Sequence, residues 1–211
     1  YGKSDGLPIE NPTIDDYATS VKDVLDTLSI HKLNLYGTAT GAQIAIRFAL
    51  NYPDKINHLL LDNAAHFSDE MRQRIMKNYF PDLSPKEDGS HIRMIWKMVN
   101  QMFEYFPWFD NSDDNKVGFA PTLSVKQFVA MDYISAGAGY DRAYKAAFNH
   151  ENARHVQNLT VPTTIFRWKG SIVLKYIDAL LQHELPSHID RIDTPVTASE
   201  RYDVMWKTMN A

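Results

Sequence analysis

Cysteine is absent from the 211 residues, which excludes a disulfide framework, a thiolate nucleophile and a cysteine-ligated metal. Covalent chemistry is left to oxygen or nitrogen. A charge excess is missing too: 22 Lys+Arg against 26 Asp+Glu leave a net charge of −4, so no basic field is available to hold nucleic acid or an anionic membrane. No apolar run approaches the roughly 20 residues of a membrane span, and Tyr1 opens a polar stretch rather than a charged-then-apolar leader. The expectation is a soluble, cytoplasmic chain that engages neither nucleic acid nor membrane. No group of His, Asp and Glu has metal-ligand spacing, so neither metal nor cofactor is expected. The content, 44% hydrophobic and 23% charged, fits one domain of ordinary size or a core domain with a small insert.

The first 67 residues alternate between helix and strand patterns. Thr13-Ile14-Asp15-Asp16 has the form of a capping box, and Tyr17, Val21, Val24, Leu25 and Leu28 follow at helical spacing to about Ser29. Leu33 to Tyr36 reads as a short strand, Gly37 to Gly41 as a turn, and Ala42 to Asn51 as a helix stopped by Pro53. His58 to Asp62 is nearly continuous and apolar, as a strand buried on both faces should be. The fold expected is α/β, a parallel sheet flanked by helices.

From Ser68 to Leu159 strand signals vanish, and aromatics and methionines fall in helical runs over Met71–Tyr79, Ile92–Phe106 and Ser124–Ile134. This predicts a helical insert, interrupted by an acidic loop at Asp110–Asp114 and a break at Gly137-Ala138-Gly139. The α/β pattern resumes at Val161–Trp168, with a helix over Ile172–Gln182, a short strand near Glu184-Leu185 and a last helix over Ala198–Met209.

Gly37-Thr38-Ala39-Thr40-Gly41 lies between a strand and a helix. It lacks the G-x-G-x-x-G of a dinucleotide turn and the Gly-Lys-Ser/Thr of a phosphate loop. Small residues at its first and fifth places suit a nucleophile elbow, G-x-S-x-G, in which strand and helix approach closely around a strained central residue.

At this point the chain resembles the α/β-hydrolase superfamily. Tyr1-Gly2-Lys3-Ser4-Asp5 is similar to the G-x-S-D loop after that family's fourth strand, Asn51–Ile56 to the lead into its sixth strand, and 68–159 occupies the place of its helical cap. The resemblance implies a core of 1–67 and 160–211 with a cap of 68–159. It also implies upstream strands of the same domain, without which Leu33–Tyr36 is an exposed edge.

In that family a nucleophile, a histidine base after the last strand, an orienting acid and backbone donors for the oxyanion work together. Ala39 occupies the nucleophile position and cannot attack, which reads either as an introduced knock-out or as a natural loss. The resemblance makes His188 the candidate base, with His183 as its rival, and Asp62 or Asn63 the candidate acid, since Trp168–Ile172 offers none. Asp62 has an alternative role tied to the backbone beneath the elbow. The Thr40 amide is the oxyanion donor. Thr38, His66, Trp96, Trp108 and Tyr133 are candidate substrate contacts, with hinge packing the alternative for His66 and the insert's own core for the rings.

The function expected is hydrolysis of a small apolar substrate, most simply an ester, under the cap, impaired by Ala39. A haloalkane dehalogenase or epoxide hydrolase would need a carboxylate at 39 instead. A ligand-binding member without catalysis is the rival of another class, and a lyase using His188 as a base is a third.

Overall fold

The computed structural model describes residues 5–117 and 121–210; Tyr1–Ser4 of the G-x-S-D-like loop lie outside the described residues. Thr13 opens the first helix: its hydroxyl accepts the Asp16 amide at 3.3 Å, and the Asp16 carboxylate accepts the Thr13 amide at 2.7 Å. Two orphan donors are thereby satisfied reciprocally. α1 (Ile14–Thr27) follows, then β1 (Leu33–Thr38), α2 (Thr40–Asn51) and β2 (Ile56–Asp62). The middle of the chain forms α3 (Asp69–Asn78), α4 (Ser90–Met102), α5 (Leu123–Ala136), α6 (Arg142–His150) and α7 (Ala153–Gln157). β3 (Thr163–Trp168), α8 (Leu174–Leu181), β4 (Ile189–Thr194) and α9 (Ala198–Met209) complete it.

The chain divides into two compact units, and the sheet lies in the one made of Asn11–Phe67 and Ala146–Ala211. Its described strands run in the order β1-β2-β3-β4, all parallel, with Thr38, Asp62, Phe166 and Ile192 in register. Successive residues of β2 serve opposite faces. Leu59 and Leu61 enter a core with Ala45, Ile46, Phe48 and Leu180, whereas Leu60 joins Phe166 and Met205 of α9. Burial on both faces explains the apolar run in the sequence.

Two boundaries differ from expectation. The last strand is Ile189–Thr194, not a segment near Glu184-Leu185. It edges the sheet and separates Ile189 and Ile192 by Asp190 and Arg191, so it lacks an apolar run to betray it. Residues 146–159, grouped with the insert by sequence, pack in the sheet unit, where Ala153, Val156 and Leu159 join the core of Leu59 and Ile165.

The other unit comprises Ser68–Lys145 with the segment ending at Glu10. Within it the Tyr79 ring meets those of Phe80, Phe106, Trp108 and Phe109 at 5.3–6.3 Å between centroids. Its helix α4 stops at Met102, short of the Phe106 that sequence periodicity suggested. Among the described residues of the chain, no helix is long and apolar enough to cross a membrane.

In the sheet unit, the Arg47 Nε–H donates to His150 Nε2 at 3.0 Å, leaving the ring proton on Nδ1, 3.0 Å from Gln43 Oε1. His155 stacks on the same ring at 4.3 Å. Burial, then the neighbouring His155 and Arg47, push the His150 imidazole down to about 3 from 6.5, against a smaller opposing pull from Asp15. Burial lowers His155 as well. An unfolded histidine takes a proton near 6.5 while the folded ring refuses it, so stability is complete above that pH and declines as pH falls toward 3. The melting temperature is expected to drop progressively between pH 6.5 and pH 4, and His150→Gln should flatten that slope in a pH series of thermal melts.

Candidate functional site at the carboxyl end of the sheet

Ala39 sits between β1 and α2 with φ 50° and ψ −115°. An L-residue in that region carries about 1–3 kcal/mol of backbone strain. The surroundings over-determine it: the Ala39 amide donates to Asp62 O at 3.0 Å, and its carbonyl accepts the Ala42 and Gln43 amides at 3.0 and 3.3 Å. Those bonds leave the Thr40 and Gly41 amides as the orphan donors of the first helical turn. The side chain at the apex is a methyl group.

The two glycines of the turn are not equivalent. A Cβ on Gly37 would collide with the Gly41 carbonyl and stand 2.8 Å from Ala45 Cβ, whereas a Cβ on Gly41 would meet nothing within 4 Å. The close approach of strand and helix is thus a demand on Gly37 alone, a correction to the symmetric expectation.

Asp62, fully buried at the end of β2, accepts on Oδ2 from Tyr36 Oη at 2.8 Å, from Thr38 Oγ1 at 3.3 Å and from the Arg201 guanidinium. Its other oxygen has no partner among the described residues. Neither a histidine nor a backbone amide appears among these contacts. Asn63, at φ 50°, donates through Nδ2 to Thr38 Oγ1 at 3.2 Å and accepts from Ser171 Oγ at 2.6 Å. Burial and the adjacent Asp62 push the Tyr36 phenol up to about 12. Both acid candidates are therefore engaged in a side-chain network that ties the ends of β1, β2 and β3 to α9, and the Thr38 hydroxyl is spent inside it.

His188 is not part of this network. It precedes β4, where its Nε2–H donates to Leu159 O at 2.8 Å and its carbonyl accepts the Thr163 amide at 3.0 Å. The strands begin at that level. Ile192, four residues beyond His188, is the position in register with Thr38 and Asp62, about 13 Å along at 3.3 Å per residue. The base assignment thus falls at the opposite edge from the elbow, because the expected strand at Glu184-Leu185 is displaced past the histidine. The segment that does follow β4 is Pro195-Val196-Thr197, which offers no imidazole. His183 follows α8 and lies edge-on to His66 at 4.9 Å. His66 itself is bound to Glu151 at 2.8 Å.

The ring candidates belong to the other unit. Trp108 is buried with Nε1–H on Tyr79 O at 3.1 Å, and Tyr133 is buried edge-on to Tyr140 at 5.5 Å. Burial raises the Tyr79 and Tyr133 phenols above their ordinary range. Both Trp108 and Tyr133 are thus core residues of their unit, and Trp96 is exposed.

Sequence reasoning missed Arg201, which reaches Asp62 and lies 4.4 Å over the Trp168 ring, itself donating Nε1–H to Val196 O at 3.1 Å. A signal was available. Arg201, Met205 and Met209 share one helical face of α9, and an arginine on a buried stripe requires a buried acid.

Comparison with known proteins agrees with this geometry. A sequence profile described as alpha/beta hydrolase fold matches residues 1–85. A 2-hydroxy-6-oxononadienedioate/2-hydroxy-6-oxononatrienedioate hydrolase from Paraburkholderia phymatum is 39% identical over 61 residues, 29% of this chain. The match spans only 21% of that relative's length. Among solved structures, an esterase from Exiguobacterium antarcticum aligns with a TM-score of 0.67 at 14% identity, covering 100% of this chain and 78% of its own. A meta-cleavage product hydrolase from Pseudomonas fluorescens IP01, a serine-to-alanine mutant complexed with acetates, aligns at 0.62 and 14%, covering 100% of this chain and 76% of its own. The chain has the α/β-hydrolase fold, and its relatives and neighbours carry the names of hydrolases and esterases.

Proposed function

We propose that the carboxyl end of this sheet receives a small, largely apolar carbonyl compound, and that the chain as written holds it without the covalent hydrolysis for which the turn is shaped. Ala39 carries the reading: the apex keeps the strained geometry of an elbow but presents a methyl group. The Thr40 and Gly41 amides, at the positive end of α2, suit a carbonyl oxygen or carboxylate. The names of the relatives support a carbonyl ligand, since esters and 6-oxo acids share that group. Ester cleavage with residue 39 attacking and His188 relaying the proton lacks both partners here, and halide displacement lacks a carboxylate at 39.

Two variants and one ligand test this. Ala39→Ser is expected to change p-nitrophenyl butyrate turnover by less than about tenfold, because a serine without an adjacent base gains little. Ala39→Asp is expected to release no halide from a haloalkane. A dialkyl ketone isosteric with the ester should raise the melting temperature of the parent in a dose-dependent way. A rise of several orders of magnitude in the serine variant would establish a disabled esterase instead, and halide release would establish a disabled dehalogenase.

A further inference from the structure

We propose that His66 is a catalytic imidazole in its own right, one that hydrolyses activated carboxylic esters by acyl transfer through its own Nε2 and without residue 39. It goes beyond the elbow reading and uses none of the elbow's groups.

The observations lie in one unit. His66 follows β2, and its backbone amide is fixed on Tyr176 O at 2.9 Å. Its Nδ1 is 2.8 Å from Glu151 Oε1, and the other carboxylate oxygen accepts the Phe67 amide at 3.1 Å. A carboxylate can only accept, so Nδ1 carries the proton and Nε2 presents the lone pair. The Glu151 side chain is 4% exposed while that of His66 is 23% exposed. A shielded acid therefore orients an imidazole that solvent can reach, the arrangement that activates a ring nitrogen in acyl transfer. Nε2 meets no hydrogen-bond partner among the described residues. The titratable groups facing the ring are Glu151, from the α6–α7 junction, and His183, edge-on at 4.9 Å after α8.

The step balances without a co-reactant other than water. The Nε2 lone pair adds to the carbonyl carbon of p-nitrophenyl acetate, the C–O bond to p-nitrophenolate breaks, and an N-acetyl imidazolium remains with its Nδ1 proton held on Glu151. Water then adds to the acetyl carbon, the C–N bond breaks, acetate leaves with the water's oxygen, and both of the water's protons are released to solvent, which restores the neutral imidazole. Glu151 acts here as a positioning residue.

The test is p-nitrophenolate release by the whole chain, with acid-quenched peptide mapping of acetyl groups. The wild type is expected to exceed the buffer rate and to carry acetyl on the His66 peptide. His66→Gln should lower the protein-dependent rate at least about fivefold, while His188→Gln and His31→Gln leave it within about twofold. Glu151→Gln should lower the protein-dependent rate severalfold and Glu151→Asp should recover part of it, because the Nδ1 proton then regains a carboxylate acceptor that orients the ring. A wild-type rate equal to buffer, a smaller loss in His66→Gln, or acetyl found only on other peptides would overturn the proposal. Should His66→Gln fail to fold, the acetyl map of the wild type decides alone.

Discussion

Arg201→Met is expected to lower the free energy of unfolding by about 3–5 kcal/mol, the usual consequence of stranding one member of a buried ion pair. The Arg201 side chain is 9% exposed and that of Asp62 is wholly buried. Asp62 already accepts two hydroxyls on the oxygen that Arg201 reaches, and among the described residues neither its second oxygen nor the Arg201 Nε–H meets a partner. Methionine roughly keeps the apolar length of the stem, so the loss would report charge and hydrogen bonding more than packing. Asp62→Asn combined with Arg201→Met should lose less than Arg201→Met alone, because the stranded charge goes with its partner. Urea unfolding of the three proteins measures both differences. Equal midpoints for Arg201→Met and the parent would show that the pair contributes nothing.

Gly37→Ala is expected to be the most damaging single methyl in the turn, at about 3 kcal/mol or more, toward the upper end of overpacking penalties. The new Cβ meets a backbone carbonyl and the Ala45 methyl, neither of which can rotate away. Strand and helix must separate to admit it, and the Ala39 amide bond to Asp62 O at 3.0 Å would be disturbed with them. Gly41→Ala is the matched control. It adds the same atom into open space within a helix, where alanine is favoured over glycine by about 0.5–1 kcal/mol. Thermal melts should therefore separate the two glycines by more than 3 kcal/mol equivalent, roughly 6–12 °C for a chain of this size. Similar melting temperatures for both variants would mean that strand and helix are not in the contact described.

What could be read from the sequence depended on how local each signal was. The capping box at Thr13, the buried strand ending at Asp62 and the strained turn at Ala39 are each specified within a few neighbouring residues, and all three stand in the fold. The last helix is likewise found at Ala198–Met209. β4 was hidden because an edge strand with outward Asp and Arg carries no apolar run. That single displacement also misplaced His188, since a histidine before a parallel strand and one after it stand at opposite ends of the sheet. The partnership of Asp62 with Arg201 spans 139 positions and leaves no mark on local composition. It was detectable only as an arginine in step with Met205 and Met209. Trp108 and Tyr133 illustrate the converse: aromatic density signals burial, and burial in a small helical layer is satisfied by the rings themselves.

The empty apex of the turn also makes the chain an unusually clean scaffold for chemical attachment. With no native thiol anywhere in its 211 residues, Ala39→Cys would be the sole sulfhydryl, mounted on a rigid strand-to-helix junction. The orphan amides of the first turn of α2 favour the thiolate there and speed its alkylation. A fluorophore or spin label tethered at that point would then report from one fixed address.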